Sequence, residues 1–160
     1  TIRENIINTS NETGFGLWSV WGRNDSNTIF NNTIGSNGGH GISLNTSHYA
    51  NISLNTIDTN ATGVIGINVY NSSVVNVSLN VINVSGAKSH AIVINDSANA
   101  SVSANIINTT GESAGSILVT GSTSLFSIIS SNIIRASAST SILSTPVYSL
   151  SRFTIITTKI

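Results

Sequence analysis

The sequence contains no cysteine, no methionine and no glutamine, a single proline, and only 8% charged residues. Without cysteine it can form neither a disulfide framework nor a thiolate metal site. Six basic and six acidic residues cancel, so the chain carries no electrostatic footprint for nucleic acid or anionic lipid. No apolar run approaches the roughly 18 residues that cross a membrane. We therefore expect no nucleic-acid partner and no membrane span.

Small polar and β-branched residues dominate what is present. Asn, Ser and Thr supply 22, 28 and 18 residues, and Ile and Val supply 24 and 12. Strong helix formers are scarce and β-branched residues favour strands, so the composition excludes a helical bundle and an α/β nucleotide-binding fold. The length of 160 residues suits one domain. Because the chain starts at Thr1, we expect residues 1–160 to be a fragment or processed portion of a longer protein.

An Asn-x-Ile motif recurs along the chain in steps of 27, 23, 25, 25 and 27 residues. Its asparagines are Asn5, Asn32, Asn55, Asn80, Asn105 and Asn132. Its isoleucines are Ile7, Ile34, Ile57, Ile82, Ile107 and Ile134, and Ile160 follows after one more step. A repeat of this length, with one residue type returning at one position, is typical of the coils of a solenoid.

Two further apolar elements recur within each cycle. One element carries Leu17, Ile42, Ile67, Ile92, Ile117 and Ile142, and the other carries the pairs Ile52–Leu54, Val77–Leu79 and Val102–Ala104. Each element alternates apolar and polar residues, which predicts a strand with one buried face. We predict an all-β, parallel β-solenoid of about six coils, each of 23–27 residues and three short strands. Equivalent residues should stack in columns about 4.8 Å apart, with the motif isoleucines as a core column.

The stretch SNTIFNNTIGSNGGHGISL, residues 26–44, resembles the repeat of right-handed single-stranded parallel β-helix proteins, the NosD-like and pectate-lyase-like superfamily. Residues 50–57 and 75–82 repeat its first half. The resemblance implies a right-handed β-helix and a prokaryotic cell-surface protein. It does not select a function, because the superfamily includes lyases, hydrolases, phage tailspikes and surface proteins, and a fold does not choose among these.

The motif asparagines predict a structural ladder. Asn tolerates left-handed backbone angles at turns and bonds nearby backbone groups, and stacked amides can bond one another along the axis. We therefore expect these residues to form a turn ladder. The alternative is that the six amides form an array that holds a ligand.

The acidic residues do not group as an active site requires. Glu12 and Glu112 share one phase of the repeat but lie four coils apart, about 19 Å at the strand spacing, whereas paired catalytic carboxylates lie about 5–9.5 Å apart. Asp58 has Gly35 and Asn83 as its column neighbours rather than acids. His40 and His90 do not fall on adjacent coils. We expect no catalytic residue, no metal site, no cofactor and no enzymatic activity.

Outward apolar residues suggest association. Those that we predict as an interface are Ile6, Val81, Ile106 and Ile133 in one column and Trp18, Val93, Leu118 and Leu143 in another. Apolar columns that face outward usually mark a covered surface, and bare β-edges invite pairing. We predict a non-enzymatic structural protein of a sheath, surface layer or filament, which associates with copies of itself or with the rest of a longer chain.

Sequons for N-glycosylation number 13, about twice the chance expectation of roughly six. The predicted glycosylation sites are Asn8, Asn51, Asn60, Asn71, Asn76, Asn83 and Asn108. Sugar would solubilise a chain with almost no charge, which favours an extracellular, cell-surface location with glycans as possible partners. The alternative is that the sequons reflect turn chemistry alone.

Two further functions fit a β-solenoid. The first is a carbohydrate-binding or carbohydrate-active fragment whose catalytic part lies elsewhere, for which Trp18, Trp21 and Tyr49 could supply a platform. The second is ice binding through a flat Thr column. The nearest such column is Thr9, Ser36, Thr59, Val84, Thr109 and Ala136, which is broken twice, so we expect no ice binding.

Overall fold

The computed structural model describes residues 1–9, 14–22, 26–137 and 140–144, and for residues 18–22 and 140–144 it describes the backbone only. Its strands form three parallel sheets of six strands each. Sheet 1 holds β1 (Ile2–Arg3), β4 (Thr28–Phe30), β7 (Asn51–Ser53), β10 (Asn76–Ser78), β13 (Ser101–Ser103) and β16 (Ile128–Ser130). Sheet 2 holds β2 (Ile6–Thr9), β5 (Thr33–Ser36), β8 (Thr56–Thr59), β11 (Val81–Val84), β14 (Ile106–Thr109) and β17 (Ile133–Ala136). Sheet 3 holds β3 (Leu17–Gly22), β6 (Ile42–Ser47), β9 (Ile65–Tyr70), β12 (His90–Asn95), β15 (Gly115–Thr120) and β18 (Thr140–Ser144).

The chain visits sheets 1, 2 and 3 in turn and then returns to sheet 1 one coil further along. Every neighbouring pair of strands is parallel, and each strand pairs with its equivalent in the next coil, as Ile82 does with Ile57 and Ile107. The molecule is therefore a parallel β-solenoid of about five turns. The predicted fold class, with three strands per coil, is confirmed.

The core is made of stacked aliphatic columns. Ile34, Ile57, Ile82 and Ile107 have no exposed surface, and Ile134 is buried. Ile7, at the edge of sheet 2, packs against the core while partly exposed. The columns through Ile67 in sheet 3 and Val77 in sheet 1 are buried as well. The predicted core column is thus confirmed, except that Ile160 lies outside the described residues.

The assignment of Leu54 and Leu79 to the buried face is wrong. Both are exposed, because the strands of sheet 1 end one residue earlier and the backbone turns there with positive φ. In the Thr-rich column considered for ice binding, Ser36, Thr59 and Thr109 are buried, so these residues face inward.

Candidate functional site

The motif asparagines form a continuous amide ladder inside the solenoid, where sheet 1 turns into sheet 2. Asn80 Oδ1 accepts hydrogen bonds from the backbone N–H of Asn55 at 2.9 Å and from Asn55 Nδ2 at 3.0 Å. Asn80 Nδ2 in turn donates to Asn105 Oδ1 at 3.0 Å and to the carbonyl of Ile52 at 2.9 Å. The same pattern links every step of the ladder: Asn5, Asn32, Asn55, Asn80, Asn105 and Asn132.

The prediction that the asparagine adopts the left-handed backbone at this corner is wrong. The residue before each asparagine adopts it instead. These residues are Glu4, Asn31, Leu54, Leu79, Ala104 and Ser131, with φ between 53° and 58°. The asparagine therefore serves as the inward-facing connector that satisfies the backbone at the bend. From Asn32 to Asn132 the ladder side chains are buried and bonded to one another, which leaves no open array for a ligand.

The ladder has a direction, and its two ends differ. In each coil, the backbone N–H of the residue after the ladder asparagine points toward the preceding coil. Thr33 N–H, for example, donates to the Asn5 carbonyl at 2.9 Å. Within the described residues, Asn5 Oδ1 and the Ile6 N–H therefore have no partner at the first coil. The last described rung, Asn132, accepts from Asn105 through Oδ1, and residues 145–160, which follow it in the chain, lie outside the described ranges. Each ladder amide thus accepts from the coil before it and donates to the coil after it.

A second buried ladder, made of serine hydroxyls, runs where sheet 3 turns into sheet 1. Ser47, Ser72 and Ser97 donate their backbone N–H groups to the hydroxyls of the next coil, at 3.0–3.1 Å. The accepting hydroxyls are those of Ser72, Ser97 and Ser124. Sequence analysis missed this ladder because serine is the commonest residue of the chain and its column does not stand out.

An outward column of polar side chains borders a groove on sheet 2. Asn83 Nδ2 donates to Asp58 Oδ1 at 2.6 Å, and Asn108 Nδ2 donates to Asn83 Oδ1 at 2.7 Å. The groove encloses about 270 Å³, and Asn60 and Thr110 also line it. Its walls offer amide and hydroxyl groups that can both donate and accept hydrogen bonds.

Two histidines lie in one column at the start of sheet 3, two coils apart. His40 Nδ1 accepts the backbone N–H of Ile65 at 3.0 Å, and its ring meets Phe15 edge-to-face at 5.3 Å. His90 pairs in register with Ile65 and Gly115, and a Cβ on Gly115 would lie 2.3 Å from His90 Nδ1. Burial lowers the pKa of His40. Burial also lowers the pKa of His90, and a weaker interaction with the Gly115 backbone raises it.

The predicted interface residues differ widely in exposure. Ile6 is 78% exposed and Ile133 is 38% exposed, whereas Val81, Ile106 and Leu118 are partly covered. The assignment of Val93 to the surface is wrong, because it retains only 5% of its surface between its register partners Asn68 and Leu118. The side chains of Trp18, Trp21 and Leu143 lie outside the description.

The predicted glycosylation sites fall into two groups. Asn8, Asn60 and Asn71 are exposed, whereas Asn51, Asn76, Asn83 and Asn108 are partly covered. The covered amides are already engaged with column neighbours, as Asn76 Nδ2 is with Asn51 Oδ1 at 2.9 Å. A glycan on Asn76, Asn83 or Asn108 would be attached to a nitrogen that already donates along its column, so the exposed group offers the more accessible acceptors.

No group of three or more His, Cys, Asp or Glu residues that could hold a metal occurs among the described residues. In that same part of the chain, no helix is long and apolar enough to cross a membrane. Glu112 and Asp96 lie on separate coils, and Glu12 is outside the described ranges.

Comparison of the chain with protein-family models, with curated proteins and with solved structures finds no match.

Proposed function

We propose that this chain is a structural building unit whose solenoids stack end to end into a filament, sheath or layer. The supporting observation is the directional asparagine ladder. Each ladder amide accepts from the coil before it and donates to the coil after it, so a further coil continues the ladder only in the same direction. At the first coil, Asn5 Oδ1 and the Ile6 N–H face away from the described coils, and the last coil of a preceding copy would supply a donor and an acceptor for them. Such a head-to-tail contact is heterologous and generates an open filament.

The exposed edge of the first coil agrees with this proposal. Ile6 is 78% exposed and Ile2 is 38% exposed, and both belong to strands at the edge of their sheets. Exposed apolar side chains on a β-edge favour pairing with another chain, and the charged Arg3 and Glu4 are exposed on the same edge. The rest of a longer chain could occupy the same edge, and the experiment below separates the two occupants.

The test is electron microscopy and light scattering of the purified chain, together with the variants Ile6→Pro and Ile6→Ala. Proline removes the N–H that a preceding copy would need, and that N–H is unused within the described molecule. We expect filaments from the wild type and from Ile6→Ala, and single solenoids from Ile6→Pro. A wild type that stays monomeric at high concentration, or Ile6→Pro filaments like those of the wild type, would refute the proposal.

A second candidate function, carbohydrate binding by a β-helix fragment whose catalytic part lies elsewhere, is favoured by the groove on sheet 2. Asp58, Asn83, Asn108 and Asn60 line it with donors and acceptors suited to sugar hydroxyls. Binding to a glycan array that Asn83→Ala reduces would support this function. A wild-type chain that binds no glycan would exclude it.

We infer, as part of the same proposal, an extracellular surface location with glycans on the exposed sequons and a relation to the NosD-like superfamily of prokaryotic surface proteins. The near absence of charge supports the glycans, because sugar would then supply the solubility that charge supplies elsewhere. The intact mass of native material measures the glycan load directly.

A further inference from the structure

The sequon Asn60-Ala61-Thr62 differs in structure from the other sequons. It lies in the turn that follows β8, where Asn60, Thr62 and Gly63 are exposed. Among the sequons whose three residues the structure describes, it alone lies wholly outside strands and bridges. A Cβ placed on Gly63 would meet no atom within 4 Å. The backbone of this sequon is therefore not held in a parallel ladder, and another molecule can reach it from outside.

The polar groups of this sequon are free to react. Within the described part of the chain, neither the Asn60 carboxamide nor the Thr62 hydroxyl has a hydrogen-bond partner. The exposed sequon that begins at Asn71 differs, because the hydroxyl of its third residue, Ser73, is bonded to His48 Nδ1 at 2.6 Å. Exposure of the asparagine alone thus does not make the two sequons equivalent.

A carboxylate lies beside this asparagine on the same side of the solenoid. Asp58, two residues before Asn60, is exposed, and both residues line the groove on sheet 2. Of the 13 sequons, only this one has an acid at that position. Asp58 Oδ1 accepts the Asn83 amide at 2.6 Å, which orients the carboxylate. Asp58 Oδ2 has no partner among the described residues, so it can bind a cationic group of another molecule.

We propose that Asn60 is the acceptor of an N-linked glycan, and that the enzyme which attaches the glycan binds Asp58 through a positive charge. The donor is an oligosaccharide carried on a polyprenyl diphosphate. Asn60 Nδ2 attacks the anomeric carbon of the first sugar, a C–N bond forms, and the C–O bond to the diphosphate breaks. The diphosphate leaves with the bonding electron pair, and Nδ2 loses a proton to a base of the enzyme. The groove gives the attached sugar room beside amide and hydroxyl groups.

Glycosylation at Asn60 rests on the proposed extracellular location with glycans, but not on end-to-end stacking. β8 is an inner strand of sheet 2, away from both ends of the solenoid. The Ile6→Pro chain, which we expect not to stack, should therefore carry its glycan at the same site.

The test is glycopeptide mapping by mass spectrometry of the chain isolated from its own host, with variants expressed there. We expect Asn60 to carry more glycan than any other sequon that the structure describes in full. A sequon requires a hydroxyl at its third position, so Thr62→Ala should lower the occupancy of Asn60 at least about tenfold. The matched control, Thr62→Ser, keeps the hydroxyl and should retain the glycan.

The variant Asp58→Asn tests the acidic contact. It removes the charge but keeps an oxygen that can accept the Asn83 amide, so the outward column is preserved. We expect the occupancy of Asn60 to fall several-fold. The matched control is Asp96→Asn, which removes an acid where sheet 3 turns into sheet 1 and should leave that occupancy unchanged.

Glycans on other sequons and none on Asn60 would overturn the inference and leave the proposed glycosylation standing. A chain without glycan on any sequon would overturn both, whether or not it forms filaments. Equal occupancy of Asn60 in Thr62→Ala and Thr62→Ser would overturn its role as a sequon acceptor. Equal occupancy in Asp58→Asn and Asp96→Asn would overturn the contact with Asp58.

Discussion

At the scale of single residues, the ladder asparagines do the work that a turn motif does elsewhere. Each inward bend leaves backbone groups that no strand pairing satisfies, and a buried unsatisfied group costs about 1–3 kcal/mol. One carboxamide satisfies groups on both neighbouring coils, as Asn80 does for the Asn55 N–H and the Ile52 carbonyl. Because one asparagine side chain satisfies backbone groups on two coils, the same residue type recurs in every coil.

Removing one ladder amide should therefore be costly. We expect Asn80→Ala to lower the free energy of unfolding by at least about 3 kcal/mol, since several buried partners lose their bonds at once. The matched control is Asn83→Ala, which removes an amide of the outward column where water replaces the lost bonds. It should cost less than about 1 kcal/mol. Urea unfolding measures both, and equal losses would contradict a structural ladder.

The sequence located this ladder but not its backbone geometry. The spacing identified all six asparagines, because no other column repeats one polar residue without exception. The left-handed backbone angle was assigned to asparagine only because this residue type tolerates that angle. The residues that adopt that angle include Leu54 and Ala104, which have no such preference, so their positions could not be predicted without coordinates.

At the scale of the elements, the coils approach so closely at some turns that only glycine fits. Gly86 follows sheet 2, and a Cβ there would lie 1.8 Å from the carbonyl oxygen of Ala61 in the preceding coil. Gly111 is held against Gly86 in the same way, at 2.0 Å. These contacts fix the separation of the coils at the corner between sheets 2 and 3.

A methyl group at this corner should push the coils apart. We expect Gly86→Ala to lower the free energy of unfolding by about 1–3 kcal/mol or more, the range of overpacked sites. Gly63→Ala is the control, because that site is open within 4 Å and bears only the strain of its φ of 72°, about 1 kcal/mol. Thermal unfolding of both variants measures and compares the two losses of stability. A smaller loss for Gly86→Ala than for Gly63→Ala would show that the corner can relax.

The alternation of apolar and polar residues predicted the strands and their inward faces, because a strand fixes side-chain direction with a period of two. It failed at Leu54 and Leu79, where the strand ends and the period no longer applies. The serine ladder and the groove beside Asp58 were not predicted. Both depend on which side chains meet across neighbouring coils, and polar residues abundant throughout the chain carry no such signal.

At the scale of the whole molecule, the fold follows from repetition. One coil cannot bury its own apolar face, so each coil is stabilised by its two neighbours and stability accumulates along the stack. A change that weakens contacts between two coils therefore lowers the stability of the entire solenoid. His40 and His90 are such positions, since each lies between coils, and both have a pKa lowered by burial.

Stability should consequently depend on pH in the range where histidine titrates. Below the unfolded-state pKa of 6.5 the unfolded chain binds more protons than the folded one, so stability is complete above that pH and falls as the pH is lowered through it. A protonated His40 Nδ1 also cannot accept the Ile65 N–H. We expect urea midpoints to be level above about pH 7 and to fall from there to about pH 5, above the range in which carboxylates titrate. The variant His40→Gln/His90→Gln, which cannot titrate at these positions, should keep a constant midpoint, and an equal fall in that variant would place the proton-binding groups elsewhere.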